Sequence, residues 1–493
     1  MSRMDHHVLH LARVVLEART ALSITTGSAE GVFDTALVRD ANGLPALPAS
    51  AVAGVLRHLW IDTHGQGEVA SADTLFGFQK KDAGAASRLI VSWGALLDSE
   101  GRPAEGLLAG NDRERRKDPL YQAVLQQADA PVVRDRVRLT HRGAADDRGK
   151  FDRTVLPAGH RFALELRLWG KAQDDDDWHR LLGLFAHPLF RVGGATRAGL
   201  GAMRLVSCHT RHFDLKDADD SRAFRALGRG LTDTDGLEIY EPRPPATNDV
   251  LSGRLKLKAR GLWRIGQGDE PLSTRDEPGR PLKAADLLPK LEECIEWPDG
   301  KGERKLRLCL VPGSALKGAL AHRMAFHARR RRKDWAGEGL DEDVRNARPP
   351  EVAVLMGEVK DTREEDGRRS ELGRAGALFI DDAWIEADPK RAVRLMHNAI
   401  DRFTAGVRDR VLYEEESLLG GELTVPVALD LRRIPHEHRE AVRRALHDAL
   451  NDLCQGRLAL GSRTTAGNGF FDGELEGSLR RWLDQDDAKE VAA

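Results

Sequence analysis

The stretch "VPGSALKGAL", Val311 to Leu320, decides how the chain is read. It looks like a phosphate-binding loop that runs into the helical "AHRMAFHARRRR". A Walker loop, however, needs Gly, four residues, then Gly-Lys-Ser/Thr, so that amides wrap a phosphate and a hydroxyl holds magnesium. Here Lys317 precedes Gly318 and no hydroxyl follows, which argues against ATP binding by that route. What remains is an extended lead-in at Leu310 and Val311, a proline, Ser314 as the expected N-cap, and a helical face of Leu316, Leu320 and Met324. A helix start with free amides beside a lysine can hold a phosphate, including one in a polynucleotide. The plain alternative is an ordinary capped helix.

The same stretch occurs twice. "LPASAVAGVLRHLW" (Leu47 to Trp60) matches "VPGSALKGALAHRM" with Pro48 on Pro312, Ser50 on Ser314, Gly54 on Gly318 and His58 on His322. Further anchors follow in the same order. "LFGFQ" pairs with "LMGEV", and "RLIVSWGALLD" with "ALFIDDAWIE". The "VRLTHRGAADDRGKF" region pairs with "DRFTAGVRDRVLYEE", which sets Arg138 on Arg402. "VGGATRAGLGAMRL" pairs with "LGSRTTAGNGFFDG", which sets Gly199 on Gly467. Ordered anchors across whole halves indicate a tandem duplication. The expected organisation is a first unit over 1–208, a polar, proline-ended linker over 209–249, a second unit over 250–478 and a tail over 479–493.

Composition bounds the function. With 493 residues, 41% hydrophobic and 31% charged, the chain has a soluble globular profile and room for two or three domains. No apolar run is long enough to span a bilayer and the N-terminus is too interrupted by charge for a signal peptide, so a cytoplasmic protein without membrane contact is expected. Cys208, Cys294, Cys309 and Cys454 form no CxxC pair, so neither structural zinc nor a disulfide framework is indicated. The histidines at 6, 7 and 10, and "CHTRH" at Cys208 to His212, read as solvated turns. The net charge of -2 does not favour a free-standing nucleic-acid binder. Local basic runs at Arg134 to Arg142 and Arg329 to Lys333 stand beside the duplicated turns.

With these anchors the sequence resembles the RAMP superfamily of CRISPR proteins, and specifically the backbone subunits of type III effector complexes, with two units fused as in type III-D systems. The resemblance rests on the "PxSxxxG" helix starts, the "LFG" segment, the "DRxTG"-like entry to a hairpin and the Gly-rich turns, and it covers both halves. It implies an α+β fold of two tandem ferredoxin-like, RRM-related domains with insertions. The first strands are expected over Val14–Ile24 and Leu255–Ile265, and the second helices at "DDDDWHRLLGLFAHPLF" and "HEHREAVRRALHDALNDLC".

The resemblance also implies partners: guide RNA, complementary target RNA and other type III effector subunits. Ser50, Ser314 and Lys317 would lie along the guide backbone, although unit one has Ala53 where unit two has Lys317. Arg138 and Arg402 would clamp it at the foot of each hairpin, whose tips, near Asp147 and Arg410, would wedge between bases. Gly199 and Gly467 would let amides approach phosphate, with Arg197 and Arg463 alongside. Family members cut target RNA with an acidic residue in the loop after the first strand. That position is Asp34, six residues before Asp40, with Asp269 as the candidate in unit two. Such a carboxylate would hold a weakly bound divalent cation such as Mg2+ or position the attacking 2'-hydroxyl. An inert RNA-binding scaffold is the first alternative. A guide-processing endonuclease is the second, for which His58 and His322 are poor general acids or bases. The role of the segment from Pro281 to Arg307 is not legible in the sequence.

Overall fold

The computed structural model describes residues 6–27, 34–64, 69–81, 83–140, 143–272, 275–277, 280–281, 285–334, 347–363 and 369–486. In unit one, β1 (Val8–Ala18) leads to α1 (Ala49–His64), then β2 (Leu89–Val91) and β3 (Ala95–Leu96). A protruding hairpin follows, β4 (Arg136–Leu139) and β5 (Ala145–Phe151), then β6 (Arg161–Gly170), α2 (Asp176–Gly183), β7 (Met203–Asp214) and β8 (Glu238–Ile239). The antiparallel sheet runs β8-β7-β1-β6-β2, with β3 also on β6. β1 is buried almost continuously, as a central strand covered on both faces must be.

Unit two repeats this order. β9 (Val250–Ala259) is followed by the hairpin β10 (Leu291–Glu296) and β11 (Glu303–Val311), then α3 (Gly313–Arg332) and β12 (Leu378–Ile380). β13 (Ala383–Glu386), the hairpin β14 (Ala392–His397) and β15 (Tyr413–Leu419), β16 (Glu422–Asp430), α4 (His436–Cys454) and β17 (Phe471–Gly477) complete it. Its sheet runs β12-β16-β9-β17. In both units the strands of a βαββαβ element are therefore ordered 4-1-3-2, the ferredoxin-like arrangement. β9 alternates buried and exposed residues because one face is solvated, where Lys256 and Lys258 meet Glu476 and Glu422 at 2.5 and 2.9 Å.

Each unit has its own core. One cluster gathers Leu16, Leu56, Trp60, Phe162 and Leu182, and the other Leu257, Trp263, Leu320, Leu446 and Phe471. Val250, Phe379 and Ala428 of unit two pack into the first.

Several expectations change. Both first strands begin earlier than expected, at Val8 and Val250. Of the histidines read as solvated turns, His10 lies in β1 and His209 and His212 in β7, and His10 is 2% exposed and opposite His212. The expected linker is folded onto unit one: β7 runs to Asp214, β8 pairs with it, and the buried Arg13 donates to the carbonyls of Gly228 and Asp233 at 2.7 and 2.5 Å. A buried guanidinium needs acceptors, and these residues supply them. The tail over 479–493 starts as a helix, Ser478–Leu483, whose Leu479 and Leu483 are buried in the second core.

The segment from Pro281 to Arg307 also acquires a role. Arg39 pairs with Pro45 in unit one as Leu291 pairs with Cys309 in unit two, so β10–β11 is an elongated version of the short turn before α1. It docks on unit one. Ile295 N donates to Ala158 O at 2.9 Å, Trp297 Nε1 to Gly159 O at 2.8 Å and Gly302 N to Ser99 O at 2.8 Å, while Arg161 covers the Trp297 ring at 4.2 Å.

Candidate nucleic-acid interface

The Gly-rich turn of unit one lies against the start of α3. Gly199 has φ +108, and a Cβ there would stand 1.9 Å from Asp382 Oδ1 and 3.1 Å from Gly313 N. That oxygen accepts from Gly313 N at 2.8 Å. The helix start that seemed ready for an external phosphate is therefore filled by an internal carboxylate. Pro312 occupies the cap position and offers no side-chain bond, so Asp382 and not Ser314 serves the helix start. Burial outweighs the Arg134 charge and the Gly313 bond, and it pushes the Asp382 carboxyl up to about 6.

Lys317 is drawn into the same joint. Its ammonium donates to Arg197 O at 3.0 Å and Leu378 O at 2.8 Å, and burial with Arg197, Arg348 and Arg136 nearby pushes it down to about 7. Arg197 donates to Gly376 O at 2.7 Å and lies over Phe379. Two arginines from the foot of the first hairpin complete the group. Arg136 reaches Ala198 O at 3.4 Å and Arg153 reaches Ser23 Oγ at 3.5 Å, and the buried Nε of each has no hydrogen-bond partner. Burial and Arg153 push Arg136 down to about 10. Arg136, Arg153, Arg197 and Lys317 thus form a cationic bed in which charge and unmet N–H groups face one another.

Asp34 sits beside this bed. Its amide donates to Asp152 Oδ1 and its Oδ2 accepts from Asp152 N, both at 3.0 Å, one residue from Arg153. Residues 28–33 of its loop lie outside the described residues. The counterpart in unit two by position is Asp286 and not Asp269, although both are exposed. Asp286 Oδ2 accepts from Glu414 N at 2.9 Å as Asp34 Oδ2 does from Asp152 N. Four residues on, Val38 N bonds Ile24 O as Lys290 N bonds Ile265 O. The strand register fixes this match. Among the described residues no group of three or more His, Cys, Asp or Glu could hold a metal ion. The free carboxylate oxygens beside Asp34 are hard donors suited to a weakly held Mg2+ completed by water or phosphate.

The hairpins also differ from expectation. Arg136 opposes Phe151 as His397 opposes Tyr413, so Arg138 corresponds to Ala399 and not to Arg402. Arg138 is exposed near the turn at 140–144, paired with Asp146 at 2.5 Å, and Arg402 is exposed in the loop at the second tip. Neither stands at a foot. That second tip is an Asx turn, in which Asp401 Oδ1 accepts from Phe403 N and Thr404 N at 3.0 and 2.9 Å and Phe403 is left 94% exposed. Asp147 lies in β5, short of the first tip, and Arg410 is exposed in the second loop.

Ser50 is exposed in the first turn of α1, and Gly467 has open space around it. Arg463 bonds Tyr413 Oη at 2.9 Å and lies 3.5 Å from Glu415. Arg142 lies outside the described residues. Arg330 and Arg331 pair with Asp448, and Arg332 with Glu351.

A family model for the RAMP superfamily matches residues 15–204 and 300–472. The chain belongs to the RAMP superfamily. One matched region of this RAMP protein falls in each unit, and the second begins after β9, the first strand of its sheet. Among curated protein sequences none matches it. Among solved structures it is similar to a chain of "Type III-B Cmr-beta Cryo-EM structure of the Apo state", at 11% identity and a TM-score of 0.30, over 40% of this chain and 96% of that one.

Proposed function

We propose that this RAMP protein is a backbone subunit of a type III CRISPR effector. It lays guide RNA across the bed of Arg136, Arg153, Arg197 and Lys317 and cleaves complementary target RNA beside Asp34 and Asp286. The bed carries the reading: four clustered cations, two with buried N–H groups left unpaired, are a site whose missing partner is an anion. Single-stranded RNA supplies phosphates for the bed and bases for Phe403 to stack on. The Asp34 carboxylate, tied to the hairpin foot one residue from Arg153, then stands where a 2'-hydroxyl can be positioned against a phosphate. A divalent cation held there would neutralise the developing charge.

One observation favours an inert scaffold: Asp34 already spends one oxygen on a backbone amide. End-labelled RNA complementary to the guide, given to the assembled complex with magnesium, separates the two. Asp34→Ala and Asp286→Ala should each remove one band of a ladder while guide binding persists, and Asp269→Ala should leave the ladder intact. A ladder unchanged by all three makes the chain a scaffold. Loss of a band with Asp269→Ala overturns the assignment of Asp286.

A further inference from the structure

The two units also border a cavity of about 700 Å³, and none of the four cations of the bed lines it. Phe185, Met203 and Leu205 line it from unit one, and Ile295 and Trp384 from unit two. The elongated β10–β11 hairpin forms one wall, fixed there because Ile295 N donates to Ala158 O at 2.9 Å. Ligand cavities commonly lie between domains and measure roughly 300–1,000 Å³, with a mostly apolar lining and a few polar groups. This one agrees in place, size and lining.

Its charges do not balance. Glu17 is the acid of the wall, and it is already bonded twice, by Arg161 Nε at 2.9 Å and by Arg204 Nη2 at 2.6 Å. Arg19 also belongs to the wall, with its side chain 47% exposed. Among the described residues the acid that it pairs with is Asp381, and only at 4.0 Å. Asp381 is taken, since Arg191 holds it at 2.5 Å. The Arg19 guanidinium is therefore a surplus cation at the edge of an apolar cavity, with its planar fork of donors left for an anion.

Two neutral donors add to it. His187 Nδ1 accepts from Leu189 N at 3.0 Å, and burial with Arg432 nearby pushes the imidazole down to about 4, so its proton sits on Nε2. That Nε2 and Trp384 Nε1 are buried without a hydrogen-bond partner, and both residues belong to the wall. Buried donors are nearly always paired, so two unmet ones call for an acceptor.

We propose that this cavity binds a small organic anion, an aromatic or branched apolar body carrying one acid group, between the two units. The body takes the apolar lining and the acid group takes Arg19. A cationic ligand would face two arginines and an acid already spent on its own partners. Because both units line the cavity, its occupant resists their separation, and it does so without entering the cationic bed.

Two thiols give a local test. Cys294 lines the cavity, whereas Cys454, at the end of α4, does not. Both are half-buried and burial pushes each up to about 11, so both react slowly with N-ethylmaleimide. The probe is anilinonaphthalene sulfonate, an aromatic body with one acid group, added to the full-length, RNA-free chain. At about ten times its dissociation constant it should slow alkylation of Cys294 about tenfold and leave Cys454 unchanged, as read by peptide mass. Phenylnaphthylamine, the same body without the acid, should protect only at about tenfold higher concentration, and Arg19→Met should weaken the sulfonate by the same factor. Arg19→Lys should recover part of that loss. Ala186→Trp, which fills the cavity from a partly exposed wall position, should abolish protection; if that variant does not fold, the two probes on the unaltered chain decide. The proposal is overturned by equal protection of the two cysteines, by equal potency of the two probes, by an Arg19→Met chain that is protected like the unaltered one, or by protection that survives Ala186→Trp.

Discussion

Replacing Arg134 by methionine tests whether charge holds the two units together. The guanidinium is 6% exposed and faces two carboxylates, Glu292 and Asp382, each 1% exposed. Methionine preserves most of the length, so the main loss is the cation, and two buried acids are left without one. Removing one partner of a buried ion pair costs about 3–5 kcal/mol. The loss depends on pH. An acid whose folded pKa lies above its unfolded one takes up protons more readily when folded. Its destabilisation is therefore absent below the unfolded value and complete above the folded one. For Asp382, between 3.8 and about 6, this amounts to roughly 3 kcal/mol even with Arg134 present. Without the arginine the upper limit moves higher still. Urea unfolding followed by tryptophan fluorescence should show Arg134→Met losing about 3–5 kcal/mol at pH 8 and less than about 1.5 at pH 5, where the stranded acids protonate. Adding Asp382→Asn and Glu292→Gln should recover most of the loss at pH 8. A loss equal at both pH values, or below about 1 kcal/mol at pH 8, refutes the reasoning.

Three further outcomes follow from the same geometry. Phosphate binding favours the charged form of Lys317, so guide-RNA affinity should fall as pH rises above about 7, and filter binding with Lys317→Met should be flat across that window. Gly199→Ala, forced against Asp382 at φ +108, should destabilise far more than Gly467→Ala, which meets open space at φ +92 and costs about 1–3 kcal/mol by strain alone; paired urea titrations compare them. Phe403→Ala should leave stability within about 0.5 kcal/mol, since the ring is exposed, yet weaken RNA binding by about 1–3 kcal/mol through a lost stacking platform, as read by fluorescence anisotropy.

The duplication and the ferredoxin-like order were legible because they rest on apolar periodicity and on prolines and glycines whose backbone roles are local. The positive φ values at Gly199, Gly201, Gly467 and Gly469 are such roles. What could not be read were relations between strands. Arg138 and Arg402 align as letters, but the ladder sets Arg138 on Ala399. Asp286 matches Asp34 only through its bond to Glu414 N, because the elongated β10–β11 hairpin and the residues before it shift the spacing. The basic run around Arg136 was visible, yet nothing local tells Arg136, buried beside Arg153 with an unpaired Nε, from the exposed Arg138 two residues on. The joint was invisible for the same reason: "GSALKG" reads as an open phosphate site until Asp382, far along the chain, is seen to fill it.

The two hairpin feet have diverged in opposite electrostatic directions. Where unit one has Ser23 and Arg153, the same ladder positions in unit two carry Arg264 and Glu415. Glu415, fully buried, lies 3.2 Å from Arg264, 3.3 Å from His397 and 3.5 Å from Arg463. The second foot pairs its cations with its own buried anion, whereas among the described residues Arg136 and Arg153 of the first foot make no ion pair. Since a buried cation without a partner is costly, an external anion would relieve the first foot more than the second. Among the described residues, two copies of one fold thus leave a single open cationic bed, and it lies where unit one meets α3 of unit two. Lys317 makes the same point from the other side of the joint, because the helix of unit two supplies a lysine to the bed of unit one while the equivalent Ala53 supplies none. A strand held there depends on the joint itself. The buried charges that join the units therefore also set the position of the cationic bed, which is a reason for keeping them where an apolar joint would be as stable.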